Sequence, residues 1–368
     1  MKMKSRLIGM LLLCLAIVSN SFANDSDNLK DGFTIGTPVI KSIQAIAFGP
    51  ENILFIGDNT GSMVYAIEII DKKNTSKINF NIDNITAKIG AVMGASAKDI
   101  KILDMAVNPL SNNVFFAVSR ENRGTTKSAL FKLGDTGLQE FSLEQVNYSE
   151  KKIENAPATS SKFWGQPSKT YTVTDLHYVN GEIIISGLSN EEFSSGLRRV
   201  PFPFDDAMVT TNVQAYHVSH SANETNAPIY RFLPVKLQNQ WTIVAGYMCT
   251  PLVTFKLNEL DGNNKLIGKT IAEIGAGNAP TGIISYTYNN EEYVLVGNNR
   301  YSLTKFTGKD IFNAKAIQSP SRQRGIKRET IKIGSVAHLA DFGENVLVIT
   351  RSSDKKVYTL KKLSKANI

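Results

Sequence analysis

Short runs of β-branched and aromatic residues recur along the chain, broken by polar segments that hold Gly, Asn or Asp. In "IQAIAFGPENILFIGDNTGSMVYAIEI" (43–69) a strand-like run, a turn, a second run ending in Gly-Asp-Asn, a loop and a third run follow in order. The same order returns at 103–133, 173–200, 230–257, 281–306 and 335–360, which makes six units whose starts lie roughly 50 to 70 residues apart. A sheet of three or four such strands cannot bury both of its faces alone, so radial stacking of the units is the economical solution. The expectation is an all-β chain folded as a β-propeller of six blades, with a seventh left open in the Ser/Pro-containing stretch 141–172. "GFTIGTP" (32–38), ahead of the first unit, is read as the outermost strand of the last blade, which would close the ring. The period changes once. In "NITAKIGAVMGASAKDI" (84–100), Ile85, Ile89, Val92 and Met93 share one helical face and predict a short helical insertion.

Register then assigns faces. With the strands of each blade lettered a to d from the axis outward, b–c loops and d–a connections share one face, while a–b and c–d turns share the other. The a–b turns, around Pro50, Pro109, Gly181 and Asn289, are bland. The b–c loops carry Asp58 and Asn59, Asn190 and Glu191, Met248 and Cys249, Asn298 and Arg300. A d–a connection on that same face holds His217, His220 and Glu224. Asp104 and Asp175 begin inner strands, near the central opening. Because functional residues gather on loops held by a rigid scaffold, these residues are the ligand-binding candidates. Arg324 joins them from the basic connection "SPSRQRGIKRETIKI" (319–333), which could dock an anionic ligand or an acidic partner.

Metal ligation is open but weakly drawn. Asp58 and Glu191 could serve a hard cation through their oxygens, and His220 and Cys249 a softer one. No HExxH or CxxC spacing occurs. Histidines three apart converge on one ion only where the turn between them is helical, and an extended chain would separate the rings of His217 and His220. His217, His220 and Cys249 are therefore not expected to form one compact site; Cys249 is expected to pack between blades. Glu191 and Glu192 are read as a solvated turn or a blade-to-blade salt bridge with Arg198 or Arg199.

The first residues, "MKMKSRLIGMLLLCLAIVSNSFAND", combine a basic start, an apolar core and Ser21-Phe22-Ala23 before a cleavage point, the form of a secretory signal over 1–23. The expected mature protein is one propeller domain, 24–368, in the periplasm or the medium. Three positive charges leave with the signal, so the net charge falls from +8 to +5, too small a surplus to point to nucleic acid. Cys14 leaves too, so Cys249 has no internal disulfide partner and a packed core must hold the fold. No later stretch has the roughly 20 apolar residues of a membrane span.

"GLSNEEFSS", "YHVSH", "ETNAPI", "CTPLV" and "DMAVNP" resemble phrases of a largely uncharacterised group of exported bacterial propeller proteins. More loosely, the units are similar to YVTN-type and quinoprotein-type propellers. The resemblance spans nearly the whole mature chain and implies the fold without an activity. Two functions remain. One is a binding module whose loop-rich face takes a small anionic ligand or another exported protein. The other is a metal- or cofactor-dependent enzyme, redox or lactonase-like, centred at the mouth of the channel. No cofactor is named by the residues, and Trp164 and Trp241 are too few to stack a quinone in the usual way.

Overall fold

The repeat units fold into antiparallel strand pairs, with the third and fourth fused into one nine-stranded sheet. The computed structural model describes residues 28–72, 78–205, 207–248, 250–262, 265–275, 277–319, 325–354 and 357–368; the signal segment and residues Cys249 and Arg324 lie outside these.

Strand β1 (Thr34–Gly36) precedes the first unit, which contains β2 (Ala45–Phe48), β3 (Ile53–Asp58) and β4 (Met63–Glu68). Helix α1 (Ile85–Met93) leads to the second unit, β5 (Ile100–Val107), β6 (Val114–Asn122), β7 (Thr125–Gly134) and β8 (Gly137–Phe141). Next come β9 (Val146–Lys152) and a small hairpin, β10 (Lys162–Phe163) and β11 (Gln166–Pro167). The third unit holds β12 (Asp175–Val179), β13 (Glu182–Leu188), β14 (Ser195–Pro201) and β15 (Val209–His217), with the short β16 (Ala222–Glu224) after it. The fourth is β17 (Ile229–Leu237), β18 (Gln240–Tyr247), β19 (Pro251–Lys256) and β20 (Leu266–Glu273). The fifth is β21 (Pro280–Tyr288), β22 (Glu291–Asn298), β23 (Leu303–Thr307), helix α2 (Gly308–Phe312) and β24 (Glu329–Ile331). The sixth is β25 (Ser335–Phe342), β26 (Asn345–Arg351) and β27 (Tyr358–Ser364).

The inner strands touch one another in a closed circuit: β5, β2, β12, β17, β21, β25 and back to β5. This is a β-propeller, but its first two units are exchanged relative to chain order. Six apolar clusters fill the six gaps of that circuit. Ile56 and Phe115 lie in the gap between the first and second units, and Phe55 and Ile185 in the gap between the first and third. Phe116 and Leu347 join the second unit to the sixth. A middle strand packed on both faces reads as a continuous apolar run rather than an alternating one, and every residue of "ILFIGD" (53–58) is buried.

The exchange follows from where the chain finds its outer strands. After β4 the chain leaves the first sheet and builds the whole second unit. It then returns as β9, which pairs with β4 and completes the first sheet. Within the stretch 141–172 lie the outer strand β9 and the small two-stranded hairpin β10–β11. Strand β1 adds beyond β9, through pairs such as Ile35↔Asn147, so it extends the first unit; contrary to the expectation from sequence, it does not close the last one. The sixth unit instead takes its outer edge from the segment before α1, where Ile82 and Leu360 exchange backbone bonds of 2.9 and 3.0 Å.

The third and fourth units are also joined at the rim, where β15 and β20 pair in parallel. Gly268 sits in that seam, and a Cβ there would fall 2.3 Å from Val253. Close approach between units also uses glycine at the end of the second strand. A Cβ on Gly57 would lie 2.5 Å from Val173 of the entering third unit, and one on Gly246 would lie 2.5 Å from Pro280 of the fifth.

The helical insertion forms as expected, capped by the Asn84 side chain, which accepts the Ala87 N–H. Ile85 and Ile89 are buried against the second and sixth units, whereas Val92 is half exposed and lies off the packed face. Helix α2 was not foreseen; Thr307 caps it by accepting the Asp310 N–H.

Since Ile82 closes the sixth unit through its backbone, Ile82→Pro should cost about 3 kcal/mol by removing a donor and straining the strand. Urea unfolding of the variant should show that loss, and an unchanged midpoint would contradict this closure.

Candidate functional site

The inner strand of every sheet is an edge strand facing the axis, so its outward N–H and C=O groups lack a ladder partner. Side chains fill that role. Asp104 accepts the N–H groups of Ile46 and Met105, both at 2.9 Å. Asp175 accepts from Phe232 at 2.9 Å and from Leu176 at 3.0 Å. Arg231 donates to the carbonyls of Thr174 and Tyr230 and, at 3.2 Å, to Leu103. Nε2 of His338 meets the Ile102 carbonyl at 3.0 Å. These four residues are buried and bind inner strands to their neighbours.

Their charges are strongly conditioned by burial. Desolvation, opposed by Arg231 and reinforced by the charge of Asp175, lifts the Asp104 carboxyl to about 6. At Asp175 burial acts in the same direction, but His177, Arg231 and the Phe232 N–H together outweigh it and hold the carboxyl below its usual value. Burial and then the charge of Arg231 push the His338 imidazole down to about 3, so this ring is neutral in the folded protein.

The layer divides the axis. On one side lies a cavity of about 510 Å³ to which all six inner strands contribute. Its closed end holds Asp104, Asp175 and Arg231, with the half-buried His177 nearby, and its mouth lies among Pro109, Asn112 and Gly343 in the a–b turns. On the other side a smaller space of about 110 Å³ is bordered by Gln44, Tyr230, His338 and Arg351. The larger opening is therefore on the face whose loops are bland in sequence.

The loops of the other face are largely stitched together. Asn59 bridges two units, donating to the Thr170 carbonyl at 2.6 Å and accepting the Val173 N–H at 2.7 Å. Asn299 accepts the Ala279 N–H at 2.9 Å within the fifth unit. Asn298 is buried and hydrogen-bonded to Asn278 at 2.7 Å. Both oxygens of Asp58 are taken, by Gly61 in its own turn and by Lys41 and Ser42 from the segment ahead of β2. Arg300 is exposed, its backbone N–H held by Asn278. Asn190 and Glu191 are exposed beside a cavity of about 240 Å³ against the β10–β11 hairpin.

Glu191 bonds Asn155 and Asn212, and so shares no partner with Asp58. Neither arginine suggested for the Glu191–Glu192 turn forms an ion pair with it. Arg199 pairs with Glu182 at 2.8 Å, and the fully buried Arg198 bonds Asn155 and two backbone carbonyls. Part of the basic connection is docked on β20, where Arg328 donates to the Glu273 carbonyl at 2.7 Å.

At the rim of this face the chain does bring candidates together. After His217 it turns back at once, with the His220 N–H on the His217 carbonyl at 3.2 Å, and β16 pairs against β15. The two rings, expected to diverge, lie 4.2 Å apart by centroid because the intervening turn is coiled and not extended. Glu224, brought back by the hairpin opposite Ala215, contacts Nδ1 of both histidines. His217, His220 and Glu224 form a group whose ligand atoms all lie within 4.8 Å, and among the described residues Asp58 and Glu191 belong to no such group. Sequence reasoning had the residues but missed the hairpin; its turn, "VSHS" (218–221), has none of the Gly, Pro, Asn or Asp that mark a turn.

No protein-family model matches the chain, and no curated protein matches it. Among solved structures it is similar to the β-propeller domain of Cps50 (Swd1) from Myceliophteria thermophila, at 9% identity and a TM-score of 0.38, over 86% of this chain and 82% of that one. Among the described residues no helix is long and apolar enough to cross a membrane.

Two outcomes follow from the axial layer. Arg231→Met removes the cation shared by two buried carboxylates, leaving Asp104 without a charged partner, and should cost about 3–5 kcal/mol in urea unfolding, with part recovered when Asp104→Asn is added. An additive double variant would refute the charge coupling. The second concerns pH. A His held near 3 when folded and near 6.5 when unfolded binds its proton first in the unfolded chain, so stability is lost as pH falls below about 6.5. Asp104 has the opposite slope, since its raised value makes the folded state the better proton acceptor between about 4 and 6. His338→Gln retains a donor for Ile102 and removes only the first term. Between pH 7 and pH 4 the wild type should lose ~3 kcal/mol more than this variant. Parallel pH profiles for the two proteins would exclude the mechanism.

Proposed function

We propose that the protein is an exported, six-bladed propeller that acts as a binding module, with the axial cavity as its ligand seat. The carrying observation is the cavity itself. About 510 Å³ falls within the ~300–1,000 Å³ typical of small-molecule sites, and its wall mixes apolar strand residues with polar groups, of which Asp104, Asp175 and Arg231 converge at the closed end. Such a shape seats an apolar body and orients a single polar group against His177, Asp175 and Arg231.

The acids that favoured an enzyme reading are engaged in the frame. Asp104 and Asp175 each accept two backbone N–H groups across or within inner strands, which is a poor starting point for a lactonase-like calcium centre. The loop-rich face presents Glu192 and Arg300 to solvent and is the surface left for another exported protein. A periplasmic or secreted location is part of the proposal and rests on the signal-like first 23 residues.

The test uses Ile284→Trp, which places a large ring in the cavity from a half-buried lining position. In a thermal-shift screen of small carboxylic acids, amines and sugars, at least one compound should raise the wild-type melting temperature by several degrees. The same compound should leave the folded variant unmoved. Equal stabilisation of both proteins, or no stabilising compound at all, would count against the axial seat.

A further inference from the structure

The His217–His220–Glu224 group is independent of the axial cavity. His217 is completely buried, whereas His220 and Glu224 have side-chain exposures of 54% and 22%. Behind the His217 ring, Nε2 meets the Thr250 hydroxyl at 2.7 Å. That hydroxyl donates to a Glu273 oxygen, so its own oxygen is left to accept from His217. The other Glu273 oxygen is held by the Val218 N–H at 3.2 Å. This chain makes Nε2 the donor, the arrangement in which the lone pair of the ring falls on Nδ1.

That lone pair points into the group. Nδ1 of His217 lies 3.1 Å from Oε1 of Glu224 but has no hydrogen-bond partner. The same carboxylate oxygen also meets Nδ1 of His220. Two acceptors at that separation repel unless a cation lies between them, and a buried, unpartnered nitrogen is costly. A tetrahedral ion with bonds of about 2.0–2.2 Å needs donors roughly 3.3 Å apart, close to the His217–Glu224 spacing.

We propose that His217, His220 and Glu224 bind a divalent transition cation of the zinc class. Two imidazoles and one carboxylate suit Zn²⁺ and disfavour Ca²⁺ or Mg²⁺, which take oxygen ligands. Thr250 and Glu273 are positioning residues that hold His217 in its ligating tautomer. The exposed side of His220 leaves a fourth position to water or to a group on a partner. The hairpin β15–β16 is the structural element that the ion would fasten, since it carries all three ligands within eight residues of chain.

The test is calorimetric titration of the EDTA-stripped full chain with ZnCl₂. Wild type should take up one Zn²⁺ per chain at micromolar affinity or tighter. His220→Ala and Glu224→Gln, both at accessible positions, should weaken binding at least about tenfold while melting like wild type in EDTA. Thr250→Val should retain the site with affinity reduced by about tenfold. The proposal is overturned if Zn²⁺ does not bind, if the His220 and Glu224 variants bind it as wild type does, or if Ca²⁺ binds the site equally well. None of these outcomes depends on the axial ligand.

Discussion

The axial edge of each inner strand sets the problem that the rest of the structure solves. A propeller brings the innermost strand of every sheet to the axis with half its backbone groups unpaired, because the neighbouring sheet is tilted away and cannot continue the ladder. Here Asp104, Asp175, Arg231 and His338 supply the missing donors and acceptors, and Thr281 adds a bond to the Val336 carbonyl at 3.0 Å. Burying acids and a guanidinium together is tolerated because their charges offset one another and their remaining hydrogen-bonding capacity goes to backbone. The same layer walls off the axis and leaves one deep cavity on a single side.

At the rim the constraint is reversed. Blades diverge outward, so outer strands have room and the chain uses it freely. β9 returns to the first unit after the second is complete, the segment before α1 closes the sixth, and β15 and β20 fuse two units in parallel. Each device covers an edge that would otherwise offer a pairing template to another chain. Exchanging the first two units costs nothing in the core, since each of the six inter-unit gaps still fills with side chains from both walls.

Polar residues on the loops follow the same logic of use. Most of those with a distinctive sequence setting are consumed in the frame: Asn59 joins the first unit to the third, while Asp58 and Asn298 tie loops within their own units. The hairpin after β15 differs because its two histidines and Glu224 face one another with a buried nitrogen left over. A surplus acceptor in a buried place is chemically informative in a way that an asparagine satisfied on both sides is not.

Much of the architecture was legible from local pattern alone. The runs at 53–58 and 114–118, the punctuating turns and the recurrence of units pointed to an all-β propeller of antiparallel strands and to the helix at 85–93, because strand alternation and turn chemistry are local properties. The chain by itself also placed Asp104 and Asp175 near the axis. It could not show that they staple neighbouring strands, since their partners Ile46 and Phe232 are 58 and 57 residues away. The order of the first two units was likewise hidden, for β9 is separated from β4 by an entire unit and strand pairing over such a span leaves no local mark. The convergence of His217, His220 and Glu224 was decided by a tight hairpin whose geometry only the packed neighbours β20 and Thr250 hold in place. Sequence fixes what each strand can bury; the closed ring decides which edges meet, and so which polar groups are used up and which are left to act.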